Sequence, residues 1–417
     1  MKKLTIILIL LISFVAKAQS IKEQILENLS EIKSVDINSN DFSDLKVIGN
    51  AIGDAEIVFL GEQSHGDATT FEAKARLVKY LHEQKGFNVL AFESDFFNIN
   101  KKADEKQPIS EIEKNIFAIW SNCIQVNPLF EYIKKQQKVN PIIVSAFDCQ
   151  IAQSDDDTDK KIYINTMISY IEKNIDTSQI TDYQLFIKTL TDLIFYVKVT
   201  KTKNAHFKKI KKAVRKKYFK TLSEILNKIK NKKSFLYQSL KSVDAYAHMA
   251  WTKTDEKRDI QMGENILWLH NIKFPKEKII IWAHSLHLVK KVTNEKGRRK
   301  IHFKNIRAGE YVCNHLDNNK VYSIGFSSRK GASQRVSAHT KYNQKETIKP
   351  SNSETFENWV HTKNYDFAFV DFKKLKNNSE QFHLRALSHQ SIFKVNWLTA
   401  FDGIFYIEEM FPCIREK

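Results

Sequence analysis

The sequence predicts an α/β fold, a mostly parallel sheet flanked by helices. Two observations carry this. Short apolar, β-branched runs recur through the chain with helical patterns between them. The runs are also near-continuously apolar, as strands buried on both faces must be. Runs of this kind occupy residues 57–60, 89–92, 142–147, 279–282, 321–326, 367–370 and 404–407.

The elements follow in order. Ile57–Leu60 and Val89–Phe92 read as the first two strands, and Phe71–Lys85 between them places Ala75, Leu77, Val78 and Leu81 at helical spacing. Strand, helix, strand at that distance is a βαβ unit with a right-handed crossover. After the third strand the acidic patch Asp155–Asp159 opens about a hundred residues with helical patterns only. This predicts a helical insertion, about 155–272, between the third and fourth strands. The polar stretch Ser328–Ser353 predicts a long loop of the kind that serves as a lid.

The beginning of the chain reads as an export signal. Lys2 and Lys3 precede an apolar run, Leu4–Val15, and Ala16-Lys17-Ala18 supplies a small-x-small cleavage pattern. Cleavage is expected after Ala18. That leaves residues 19–417 as one α/β domain, periplasmic or secreted, with no stable membrane insertion, because the apolar run is short for a bilayer span.

Composition bounds the function. A chain of 417 residues with 42% hydrophobic residues can build a full core without disulfides or metals. The net charge of +18 is concentrated: Lys201–Lys233 holds fourteen Lys/Arg against the single acid Glu224. There Ile210, Val214, Phe219, Leu222, Ile225 and Ile229 recur at roughly helical spacing, so the lysines form the wet face of an amphipathic helix. No nucleic-acid partner is expected. Cys123, Cys149, Cys313 and Cys413 show no metal-site spacing; they read as small core residues, with one or two bridges possible but no pair singled out.

The chemistry gathers at one sheet edge. Ligands of open α/β sheets bind outside the carboxyl ends of the strands. There the first strand delivers Glu62 and His65, the second Glu93, the third Asp148, and the fourth His284 and His287. A carboxylate ending a buried strand is costly without partners. Such a cluster supports His65 as a general base on water, held by Glu62 or Glu93, with His284 or His287 stabilising an oxyanion. It equally supports a metal whose bound water attacks. Ser64 and Ser285 sit outside any G-x-S-x-G elbow, which disfavours a serine nucleophile.

Phe59-Leu60-Gly61-Glu62-Gln63-Ser64-His65-Gly66 resembles the Gly-Glu-x-x-His-Gly signature of the erythromycin esterase family. Glu93 matches the Glu closing the family's second strand, and Arg258-Asp259 with Met262 resembles its Arg-Asp-x-x-Met helix. Ala283-His284-Ser285-Leu286-His287 resembles its Ala-His-Asn-x-His segment, with Ser285 where Asn is usual. The resemblance implies metal-independent hydrolysis of a carboxylic ester or macrolide-type lactone with no cofactor. His65 is then the base, Glu62 and Glu93 position it or the water, and His284 and His287 bind or polarise the ester. Lys74, Arg76, Asp148 and Arg258 are the substrate-binding candidates, Lys74 standing where some members place an Arg. An exported protein that binds anionic ligands without turnover is the non-enzymatic alternative.

Overall fold

The computed structural model describes residues 19–151, 157–195, 210–252, 254–292, 305–317, 319–336, 344–375 and 379–415. The expected signal segment and residues 201–209 of the basic run lie outside them. Among the described residues eleven strands follow in chain order: β1 Leu29–Ile32, β2 Ile57–Leu60, β3 Phe87–Asp95, β4 Ile143–Asp148, β5 Lys278–Trp282, β6 Val321–Gln334, β7 Lys345–Ile348, β8 Phe367–Asp371, β9 Phe382–Leu384, β10 Phe393–Val395 and β11 Gly403–Met410. All seven apolar runs are strands.

One sheet takes nine of them in the order β1-β8-β11-β6-β2-β5-β3-β4, with β7 paired to β6. From β11 to β4 every pairing is parallel. The far edge is different: β8 runs antiparallel to β11, and β1 antiparallel to β8. An apolar run buried on both faces reads the same in either direction, so β8 was indistinguishable from a parallel strand. The mostly parallel sheet flanked by helices is the architecture observed.

Helices cover both faces of this sheet, and their apolar sides close the core. Ala68–Lys85 follows β2 and ends at Gly86, whose φ of 71° caps the helix in the left-handed region. On one face, Val58, Leu60, Leu90, Phe92 and Trp282 pack with this helix through Phe71, Leu77, Val78 and Leu81. On the other, Phe59, Val89, Ile279 and Ile281 meet Met262, Ile266 and Leu269 of the Glu256–Trp268 region.

Between β4 and β5 the described elements are helical: Thr158–Asn174, Tyr183–Phe195, Lys212–Lys228, Phe235–Thr252 and Glu256–Trp268 are the long ones. The first four share their own apolar cluster, built on Tyr163, Met167, Phe186, Leu190, Leu222, Ile225 and Val243. Lys212–Lys228 buries Tyr218, Thr221, Leu222 and Ile225 and turns its lysines outward. No described helix is long and apolar enough to cross a membrane.

Two expectations are corrected. Ser328–Ser353 is not one long loop: β6 runs through it to Gln334 and β7 returns against it, pairing Gly331 with Ile348. The polar composition concealed the strand because Ser327, Ser328 and Ser333 are buried on hydrogen bonds or close packing rather than by apolarity. Residues 337–343 of that stretch lie outside the described ones. Nor are all four cysteines simple core residues: Cys123 and Cys413 form a disulfide across 290 residues, while Cys149 and Cys313 are free.

Candidate functional site

Strands β2, β5, β3 and β4 are consecutive neighbours, so the residues at their carboxyl ends share one edge. Close approach of the first two loops depends on a glycine. A Cβ at Gly61 would stand 2.4 Å from Ser285 Oγ, so any larger residue would push the Glu62–His65 loop off the segment carrying His284.

Glu62 is fully buried, and three groups hold its carboxylate. Trp120 Nε1 donates to Oε1 at 2.9 Å, His65 Nδ1 meets the same oxygen at 3.0 Å, and Lys74 Nζ donates to Oε2. Burial opposes the charge on Glu62, but Lys74 and His65 outweigh it and hold the carboxyl down at about 2. Lys74, itself fully buried over the Trp282 ring at 4.1 Å, is pushed down to about 8 by burial against the pull of Glu62. The pair is ionised at neutral pH, and the lysine is its weaker half.

An ionised Glu62 makes His65 Nδ1 the donor, which leaves Nε2 with its lone pair. Nε2 has no hydrogen-bond or ion-pair partner among the described residues, and the side chain is 15% exposed. The ring lies edge-on to Trp120 and 5.1 Å, centroid to centroid, from His284.

His284 is differently placed. Its Nδ1 accepts from Leu286 N at 3.0 Å, so Nε2 carries the proton and donates to the Gln63 carbonyl at 3.0 Å. Burial, with His65 and His287 beside it, drives its pKa down to about 3. The imidazole is therefore neutral and locked in one tautomer.

Beyond His284 lies a dense ionic network. Glu93 Oε2 accepts from His284 N at 2.9 Å, and Oε1 accepts from Arg258 Nη2 at 2.8 Å and lies 3.3 Å from His287 Nε2. Arg258 also grips Asp148 through Nε at 3.0 Å and Nη2 at 2.7 Å. His287 Nδ1 meets Asp259 Oδ1 at 2.6 Å, and Arg307 Nη1 donates to Asp259 Oδ2 at 2.8 Å. Burial opposes charge on His287, yet Glu93 and Asp259 outweigh it and raise its pKa. The same contacts lower Glu93 and Asp259 in spite of their burial.

The structure thus brings Glu62, His65, Glu93, His284, His287, Lys74, Asp148 and Arg258 to one edge. Arg76 is not there. It spans Asp44 with two nitrogens at 2.8 Å and donates to the carbonyls of Ser34 and Asp41, tying down the N-terminal segment. Two residues apart on a helix means about 200° around it, so Lys74 and Arg76 face opposite ways. Lys74 spends its charge on Glu62, as a support for that carboxylate.

Sequence reasoning missed Trp120, Arg307 and the Asp67–His389 pair. His389 Nε2 lies 2.8 Å from Asp67 Oδ1, and Asp67 Oδ2 accepts from Ser64 N at 2.9 Å. Trp120 sits on the four-residue helix Ala118–Ser121 and Arg307 just ahead of Ala308–His315; neither position has a periodic signal. Among the described residues no group of three or more His, Cys, Asp or Glu side chains is arranged to hold a metal ion.

The sequence model of the erythromycin esterase family matches residues 82–410. The chain belongs to the erythromycin esterase family. Glu62 and His65 precede the matched stretch, but a whole-length relative spans them: YbfO of Bacillus subtilis (strain 168), named provisionally as a hydrolase, is 26% identical over 411 residues, covering 92% of this chain and 90% of its own. Solved structures share the fold. A Bacillus cereus protein superposes with a TM-score of 0.72 at 20% identity, covering 95% of this chain and 98% of its own. A protein described as a succinoglycan biosynthesis protein gives 0.72 at 18% over 94% and 97%. A mutant of the erythromycin esterase EreC in its open conformation gives 0.69 at 14% over 93% and 98%. Membership of this esterase family supports a hydrolase.

Proposed function

We propose that the protein opens a carboxylic ester or lactone by attack of water, with His65 as general base and no resident metal. One observation carries the reading: Glu62 occupies His65 Nδ1 and leaves Nε2 unspent on a side chain that is partly exposed. In the first step Nε2 takes a proton from water as its oxygen bonds to the carbonyl carbon, and Glu62 stabilises the imidazolium that forms. The developing oxyanion draws on the Nε2–H of His284, now shared with the Gln63 carbonyl. Collapse breaks the carbon–oxygen bond to the alcohol, which leaves with the proton from His65.

The metal-free form is supported by the way the other two imidazoles are spent. Both nitrogens of His284 are held by backbone, and those of His287 face Asp259 and the Glu93–Arg258 pair. A metal would have to displace those partners.

We further propose export, with the leader removed after Ala18; the Cys123–Cys413 disulfide fits an oxidising compartment. N-terminal sequencing of protein recovered outside the cytoplasm tests this.

The deciding experiment incubates the mature protein with an erythromycin-type macrolide and with simple aryl esters, and reads products by mass. A gain of one water, abolished in a folded His65→Ala variant and unaffected by chelators, is the expected result. Turnover that survives His65→Ala, or that chelators remove, would overturn the mechanism.

A further inference from the structure

A cavity of about 300 Å³ opens beside the His65 loop, with Ser64 and His284 in its lining. Part of its lining comes from two segments with no place in the chemistry above. Arg335, directly after β6, and Glu346, on β7, line it, and the stretch ahead of and into β10 supplies Leu387 and Phe393. The apolar pair is buried, Leu387 at 4% and Phe393 at 7% exposure. The cavity therefore brings polar groups, among them the proposed oxyanion partner His284, together with apolar side chains and a cation.

Arg335 is the unusual member. It is half-buried and has no hydrogen bond or ion pair among the described residues. Every other arginine described above is held in an ion pair: Arg76 on Asp44, Arg258 on Glu93 and Asp148, Arg307 on Asp259. Glu346 lines the same cavity but is held by Gln390 Nε2, and it forms no ion pair with Arg335.

Its position is rigid relative to the catalytic loop. Gln334 N donates to the Gly66 carbonyl at 3.0 Å. A Cβ on Gly66 would come within 2.3 Å of the Gln334 carbonyl carbon and 2.6 Å of Arg335 N. The residue after His65 is thus clamped onto the backbone that carries Arg335. An exposed surface arginine would need no such anchoring.

We propose that Arg335 is a specificity-determining residue, receiving a carboxylate carried by the ester substrate. The planar guanidinium presents paired N–H groups that match a carboxylate. Leu387 and Phe393 accommodate a short apolar chain between that carboxylate and the scissile ester. The substrate class is a small ester of a dicarboxylic acid or of a hydroxy acid. This deepens the esterase reading and rests on it for the identity of the reacting end. Glu346 weakens anion binding by repulsion and sets its affinity.

Two measurements test the proposal separately from the esterase reading. Calorimetric titration of adipate into the full-length mature protein needs no turnover. Binding is expected, with affinity about ten- to a hundredfold weaker in Arg335→Gln, partly restored by Arg335→Lys, and a few-fold tighter in Glu346→Gln. The second compares mono-4-nitrophenyl adipate with 4-nitrophenyl hexanoate, a neutral ester of equal chain length. Arg335→Gln is expected to raise KM about tenfold or more for the first and leave the second unchanged. Failure to bind adipate, or equal losses on both esters, would overturn the carboxylate site. Adipate binding that depends on Arg335, with neither ester hydrolysed, would uphold the site and sink the esterase reading.

Discussion

The two halves of the site are built from the same residue types and do opposite things with them. In one half, Glu62 is saturated by Trp120, Lys74 and His65, yet His65 keeps a free nitrogen. In the other, Glu93, Asp148, Arg258, His287, Asp259 and Arg307 satisfy one another. A closed network stabilises shape; an unspent nitrogen can accept a proton. The contrast teaches that imidazoles and carboxylates at a sheet edge do not by themselves identify the reacting group. What identifies it is which atom has been left over.

The largest effect should separate the halves in rate. His65→Ala is expected to cut turnover by about two to four powers of ten with little change in urea denaturation, because the ring is partly exposed and has one partner. An equal rate loss without His65's free nitrogen being touched, for instance in His287→Asn, would erase the distinction. Next comes stability. Arg258→Ala strands two buried carboxylates and should cost about 3–5 kcal/mol by denaturant unfolding, far more than His65→Ala.

The disulfide should matter at a similar or slightly smaller scale. Cys123→Ala with Cys413→Ala is expected to cost about 2–5 kcal/mol, read as a lower denaturation midpoint. It should also loosen the segment that aims Trp120 at Glu62, lowering turnover. A smaller effect is set by pH. Lys74 titrates at about 8, so turnover should fall above that pH as Glu62 loses its counter-ion, and the fall should be absent from the reduced activity left in Lys74→Met. The stability side runs the other way. With its folded pKa below the ordinary 10.5, Lys74 makes the unfolded chain bind more protons between about 8 and 10.5. Stability from this group alone therefore rises across that window. Glu62, at about 2 against an ordinary 4.5, adds stability that is complete above about pH 5 and lost as pH falls toward 2. The smallest effect is Trp120→Phe, which removes one hydrogen bond to a charged oxygen and should slow turnover by roughly tenfold.

Much of this was legible in the residues. The seven apolar runs located the strands, because burial on both faces leaves a compositional trace. Glu62, His65, Glu93, Asp148, His284 and His287 were legible as strand ends sharing one edge. Direction and pairing were not: nothing in Phe367–Val370 records that β8 is antiparallel. Lys74 and Arg76 looked equivalent because charge was read without the helical angle between them. Trp120, Arg307 and His389 reach the site from segments whose partners are set by tertiary contact, far off in sequence. The part of β6 within Ser328–Ser353 was hidden because its buried residues are the small Ser328, Ala332 and Ser333.

The sheet order carries a consequence in time. β11, the last of the described strands in chain order, sits between β8 and β6. The five strands β6-β2-β5-β3-β4 pair with one another without β11, and they already contain the strand ends that bear Glu62, Glu93, Asp148 and His284. Among the described residues β1, the first strand in chain order, joins the sheet through β8, and β8 joins it through β11. β1 and β8 can therefore join only once β11 is in place, and until then the edge of β6 stands open.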